Sequence, residues 1–337
     1  MIELKTTYMG IELKNPLIVG ASNLVTDHET LKELENAGAA AIVYKSLFEE
    51  QIQIEELEFE EEMAEYNERH AEMINLFPSM KHAGPKEHLM NLKKAKEILN
   101  IPLIASLNCV YEDTWIDYVE KIQETGVDGI ELNFYAVPKD LDTEGHSIET
   151  AQINMLKKIK EKIKIPFSVK LSPFYSNPLN VIAKMDEVGV GAFVLFNKLF
   201  QPDFNIENNE LVFPYNLSNP DDNRLALRYA GLLYNQINAN ICSNTGVYTG
   251  KDAIKMILAG ADSVQIVSTL YKNKVTYIKT MLEEIEAYMQ SKNYYKLDDF
   301  KGKLSKKSIN DPYAYKRAQY VDILMKSDHI FKKYSPR

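Results

Sequence analysis

The sequence predicts an α/β fold: a closed (β/α)8 TIM barrel with an N-terminal β-hairpin and a C-terminal extension. Three observations carry that prediction. One phrase recurs, in which a helix closes on a glycine, a small residue follows, and an apolar strand begins. It reads ENAGAAAIVYK, QETGVDGIELN, DEVGVGAFVLF and ILAGADSVQIV, with Gly38, Gly126, Gly189 and Gly260 in one role. Two more strands start after Ile-Pro, as IPLIASL from Ile101 and IPFSVKL from Ile165. Helical patterns separate most of the strands, and eight such units in about 250 residues is the size of a closed barrel. A doubly wound sheet is the alternative. It usually carries a Gly-rich fingerprint after its first strand, and Gly20-Ala21-Ser22-Asn23 is not one.

In order along the chain, residues 2–15 alternate around Met9-Gly10 and predict a hairpin. The eight strands are expected at 16–22, 40–46, 103–108, 129–133, 167–171, 192–197, 239–244 and 263–268. Thr26 and Glu29 have capping-box spacing before a helix at 27–37, and Asp252 is the expected N-cap of a helix reaching Leu258. The barrel is expected to occupy residues 1–305, with insertions at about 49–100, 134–146 and 198–223. The first is Glu-rich at 49–72 and reads as a solvated helical excursion; the other two have the length of lids or substrate walls. Residues 306–337 form the extension, which could pack on the barrel or on a second copy in a homodimer.

Composition narrows the function classes. The chain of 337 residues is 45% apolar, enough for a large core, and its 39 basic and 48 acidic residues leave a net charge of −9. That balance argues against nucleic acid or an anionic membrane as partner. Cys109 and Cys242 lie in apolar strand-like runs and read as reduced core residues. With no apolar signal core at the N-terminus and no spanning-length apolar window, a cytoplasmic protein is expected. The six histidines show no metal-ligand spacing, so no metal site is expected.

The chemical signal lies at the C-terminal strand ends, where barrel enzymes work. Polar residues collect there: Ser22, Lys45-Ser46, Ser106, Asn108, Asn133, Lys170 and Asn197. Two tight loops follow the last strands, at Thr245-Gly246 and Val267-Ser268, and their backbone N–H groups suit a phosphate. A lysine closing the apolar run FSVKL is costly to bury unless it meets an anion. The set suits a planar, partly anionic ligand that carries a phosphate.

These residues resemble the dihydroorotate dehydrogenases, FMN-dependent barrels, and most of all the soluble single-subunit type. The resemblance runs from about Tyr8 to Ser305. It rests on Asn15-Pro16 with Ala21-Ser22, Lys45-Ser46, Glu131-Leu132-Asn133, Val169-Lys170-Leu171, Thr249-Gly250-x-Asp252-Ala253, Ala259-Gly260-Ala261-x-x-x-Gln265-Ile266 and the closing Asp298-Asp299-Phe300. The resemblance implies an oxidoreductase of pyrimidine biosynthesis acting on a CH–CH bond, with a pyrimidine-like substrate; with no clustered cysteines for an iron–sulfur centre, a small soluble electron acceptor is expected. It implies that Ala21, Ser22, Lys45 and Ser46 line the flavin and that Asn133 reaches flavin or substrate. Lys170 would stabilise reduced flavin at its N1 edge, and Thr245, Gly246, Val267 and Ser268 would hold the phosphate. Asn75 and Asn197 fall to the substrate. Lys45, Lys170 and Tyr135 are the catalytic candidates.

The chain departs from the family pattern where it matters most. Thr245 and Val267 stand where the family carries the first glycine of each phosphate loop. Ala136 occupies the place of the cysteine base, with Tyr135 before it in place of serine, and Pro138 replaces a substrate-binding asparagine. Asn75-Leu76-Phe77-Pro78 only faintly matches the family's substrate loop. Two other readings stay open. One is a flavin-free, phosphate-binding lyase or aldolase with Lys170 forming a Schiff base. The other is a flavin-binding homologue impaired in catalysis.

Overall fold

Thr6–Tyr8 (β1) and Ile11–Leu13 (β2) pair antiparallel around Met9 and Gly10. Both turn residues have positive φ, 55° and 79°, as a tight two-residue hairpin turn requires. The hairpin stoppers one end of the barrel. A Cβ on Gly129 would stand 2.7 Å from Met9 Cε, and one on Gly191 would stand 3.2 Å from Met9 Cα. Those glycines begin or precede strands, so the plugged end is the N-terminal one.

The computed structural model describes residues 2–54, 84–134, 136, 141–199, 201–212, 214, 217–316, 319–325 and 332. Leu17–Val19 (β3), Ala41–Val43 (β4), Leu103–Asn108 (β6), Gly129–Phe134 (β7), Phe167–Leu171 (β8), Ala192–Leu195 (β9), Asn240–Ser243 (β12) and Ser263–Ile266 (β13) form the parallel barrel. Leu47–Phe48 (β5) adds a short pairing on β6, and Val264↔Leu17 with Ile42↔Leu103 complete the ring. Helices flank the strands. They include His28–Asn36 (α1), Pro85–Ile98 (α2), Glu112–Glu124 (α3), Gly145–Lys162 (α4), Pro178–Val188 (α5), Asn223–Leu233 (α6), Gly250–Ala259 (α7), Ser268–Asn273 (α8) and Tyr277–Ser291 (α9).

Strand alternation sorts the side chains. Leu17, Val19, Ile42, Leu132, Val169 and Phe193 face the helices, while Ile18, Ala41, Val43, Ile104, Ala192, Val194 and Cys242 pack inside with Tyr8 and Met9. Further up each strand the inward positions turn polar and remain buried: Ser106, Glu131, Asn133, Ser168, Lys170, Ser263 and Gln265. The apolar plug and floor lie below, and the polar layer lies under the cleft.

Local signals were shifted at two helix starts. Asp27, not Thr26, caps α1 by accepting from the Thr30 amide. Thr249, not Asp252, caps α7, and Asp252 sits at the third position of a reciprocal capping box. In both cases an extended backbone one to three residues away places a different oxygen over the orphan amides. The segment after β9 folds partly as a second hairpin, Asp203–Asn205 (β10) with Glu210–Val212 (β11). Glu49 is buried rather than solvated: its carboxylate accepts from the Val110 and Tyr111 amides and, at 3.1 Å, from the Thr114 hydroxyl in the first turn of α3. Residues 55–83, with most of the Glu-rich stretch, lie outside the described residues.

Candidate active site

The C-terminal ends of the strands open onto one cleft. Ala21, Ser46, Asn133, Lys170, Asn197, Thr245, Gly246, Val267 and Ser268 all line it, as the strand-end positions predict. Phe48, Asn108, Lys198, Leu199, Leu217, Ser218, Asn244 and Gln265 line it too. Among the described residues lining the cleft the charged side chains are Lys170 and Lys198, each ion-paired with a carboxylate, Glu131 and Asp222.

At one side, Ser46 and Ser106 hydroxyls meet at 2.7 Å, and Asn133 Nδ2 donates to Ser106 Oγ at 2.8 Å and to the Leu107 carbonyl at 3.2 Å. The Asn133 amide is thereby held in one orientation. On the floor, Lys170 Nζ donates to Gln265 Oε1 at 3.2 Å and lies 3.5 Å from Glu131 Oε1.

At the other side three loops converge. Gly246 N–H donates to Ser218 Oγ at 3.2 Å, and Ser218 donates to Ser268 Oγ from its amide at 3.0 Å and from its hydroxyl at 2.8 Å. Thr245 and Gly246 are both left-handed, with φ of 71° and 73°, which is costly for a β-branched residue. Thr245 Oγ1 offsets part of that cost by donating to the Phe196 carbonyl at 2.9 Å. Gly246 has no substitute: a Cβ there would stand 2.5 Å from the Asn223 amide nitrogen. Val267 turns its side chain over Gly20, where a Cβ would meet Val267 Cγ2 at 2.8 Å.

Other sequence-predicted residues lie elsewhere. Ser22 is turned to cap Asn23–Val25, accepting from the Leu24 amide at 3.3 Å. Lys45 is half-buried and is not on the cleft wall; its charge acts on buried His88. Burial first, then Lys45, holds the His88 imidazole down to about 4. Burial pushes the Cys242 thiol up to about 12 and the Tyr8 phenol well above its usual value, so both stay protonated at neutral pH. Tyr135 and Asn75 lie outside the described residues, and Ala136 is exposed. Among the described residues no cluster of His, Cys, Asp and Glu could hold a metal ion.

The family profile described as dihydroorotate dehydrogenase matches residues 3–289. The chain belongs to the dihydroorotate dehydrogenase family. It is 29% identical over 309 residues to a dihydroorotate dehydrogenase B (NAD(+)) catalytic subunit of Thermoplasma volcanium, covering 90% of this chain and 98% of the relative. The corresponding subunit of Thermoplasma acidophilum is 26% identical, with 90% and 99% covered. A probable dihydroorotate dehydrogenase A (fumarate) of Streptococcus pneumoniae is 25% identical, again with 90% and 99% covered. Within this dihydroorotate dehydrogenase family chain, Ser218 and Lys198 are two of the cleft residues that sequence reasoning missed. Both lie in the insertion after β9, where no periodicity marks which residue turns inward.

Proposed function

We propose that this chain is an FMN-dependent oxidoreductase acting on the CH–CH bond of dihydroorotate or a related pyrimidine-like substrate, in pyrimidine biosynthesis. Oxidoreductase chemistry follows from family membership; the cofactor and the substrate are our reading. The observation that carries it is Lys170, a buried ammonium opening onto a cleft whose far side gathers Gly246, Ser218 and Ser268. An ion-paired ammonium in that place is a stabiliser of developing negative charge.

The residues fit FMN. Gly246, Ser218 and Ser268 would hold its phosphate, the Gly246 amide and the Ser218 hydroxyl exchanging their present acceptors, Ser218 Oγ and Ser268 Oγ, for phosphate oxygens. Ala21, Ser46 and Val267 would flank the ring system, and Lys170 would face its N1 edge. When bound, FMN supplies hydride acceptance. The chain's own residues do the rest. Lys170 holds the charge of the reduced state, and Asn133, Asn108 and Asn197 present amides to orient a pyrimidine. We keep Asn75 as a substrate residue by the resemblance, and Tyr135, beside the missing base, as the acid–base candidate. Ala136 cannot take a proton, so oxidation of dihydroorotate lacks the usual base.

A Schiff-base lyase is the weaker reading, because Lys170 Nζ is engaged by Glu131 and Gln265 rather than turned free to a carbonyl. We assign electron release to a small soluble acceptor and the chain to the cytoplasm. Among the described residues no helix is long and apolar enough to cross a membrane. The test is spectral. Purified protein, as isolated or after addition of FMN, should show a flavin band that bleaches with dithionite. Reoxidation by fumarate against NAD+ then sorts the acceptor. Failure to bind FMN would sink the reading.

A further inference from the structure

Of the buried charged residues described, Glu49, His88 and Asp252 belong to the helices and the rim, and only Glu131 and Lys170 face the barrel interior. Glu131 is fully buried, at 0% exposure. Taking a carboxylate out of water costs several kcal/mol unless partners compensate. Its partners are few. Gln265 Nε2 donates to Glu131 Oε2, while Glu131 Oε1 has no hydrogen-bond partner and lies 3.5 Å from Lys170 Nζ. The same Gln265 accepts from Lys170 through Oε1 at 3.2 Å. An amide has one donor end and one acceptor end, and here each meets the charge that suits it. Gly20 leaves room for this placement, since a Cβ there would stand 3.3 Å from Gln265 Oε1. Below lie Val194, Ala192 and the Tyr8 phenol, none of them a charge at neutral pH.

We propose that Glu131 is a positioning residue: the buried counter-charge that, directly and through Gln265, holds Lys170 at the cleft floor and sets the positive field a bound flavin senses. The inference rests on the FMN reading above. In a low-dielectric interior, a carboxylate 3.5 Å behind the ammonium cancels much of its field toward the cleft. It also confines a long, flexible side chain to one rotamer. The fold thereby moderates the stabilisation of reduced flavin and fixes its direction.

The experiment is a redox titration of the FMN-loaded protein with Glu131→Gln, which keeps shape and removes the charge, and with Glu131→Met as a second variant of similar volume. Each should favour reduced over oxidised FMN about tenfold more than wild type does, a rise of about 30 mV for a two-electron couple. In a Lys170→Met background, Glu131→Gln should have no further effect on the potential, because Glu131 acts through that lysine. An unchanged or lowered potential in a folded variant overturns the proposal. So does an equal rise with and without Lys170. Loss of FMN binding in both variants, with wild type still binding, makes Glu131 merely structural and also overturns it. Wild type that binds no FMN is a different result: it removes the functional reading, and this inference with it.

Discussion

Lys198 Nζ, on the cleft wall, and Asp222 Oδ2 stand 2.6 Å apart, and each residue is about one-third exposed. The pair ties the residue after Asn197 to the start of α6 and so closes the insertion that delivers Ser218. Asp222 also accepts from the Asn219 amide at 2.8 Å. An exposed pair of this kind contributes less than about 1 kcal/mol to stability. Its position matters more, because Lys198 and Lys170 are the two cations among the described residues that line the cleft. Lys198→Met should leave the melting temperature within a few degrees and raise KM for a carboxylate-bearing substrate about tenfold or more. That is the size of one lost charge-assisted hydrogen bond. Steady-state kinetics on anionic and uncharged analogues check it; equal KM changes for both would refute a charge role.

Gly246→Ala tests the phosphate side. The new Cβ would press on the Asn223 amide nitrogen at 2.5 Å and the Asn219 carbonyl at 2.8 Å, in a backbone with φ of 73°. Neither neighbour is a flexible side-chain end. We expect a loss of about 3 kcal/mol in stability and at least tenfold weaker FMN binding. Denaturant unfolding and fluorescence titration measure the two; retained affinity would move the phosphate elsewhere.

His88 predicts a pH effect. It is buried with Nε2 lacking a partner, and its folded value is about 4 against 6.5 unperturbed. Between those values the unfolded chain binds the proton and the folded chain does not. Stability therefore falls as pH drops from 6.5 toward 4, by up to about 3 kcal/mol from this residue. His88→Leu should flatten that part of the stability curve. Parallel curves for wild type and variant, from unfolding at several pH values, would count against it.

The missing base is testable by supplying one. A positioned base contributes roughly 10²–10⁴-fold to proton abstraction. We expect weak dihydroorotate oxidation by wild type and a rise of at least tenfold in Ala136→Cys. Tyr135→Phe should lower whatever activity wild type has. Fast wild-type turnover that survives Tyr135→Phe would place the base elsewhere.

Local signals account for the part of the molecule that was readable from residues alone. Gly38, Gly126, Gly189 and Gly260 do share one role: all four take positive φ, between 83° and 131°, at helix ends. That conformation penalises any side chain, so its glycine is visible in the sequence. The parallel strands and the polar residues at their ends were visible for a similar reason, since burial on both faces demands continuous apolar runs and makes Lys170 conspicuous. Family membership was legible because motif order and spacing survive even where Ala136 replaces the base.

Tertiary structure decided what meets what. Gln265 and Glu131 bond across 134 positions, and Ser218 and Ser268 across 50. No local preference encodes such pairs. They depend on how the ring of strands closes, which inward position reaches which height, and how the insertion after β9 folds back. Residue pattern and propensity reveal the eight barrel strands, the family and most of the polar cleft wall. Barrel closure alone sets that Lys170 has a buried counter-charge, that Ser218 meets Gly246 and Ser268, and that the Lys45 charge acts on His88, because those relationships depend on register and packing between distant segments rather than on the residues' own propensities.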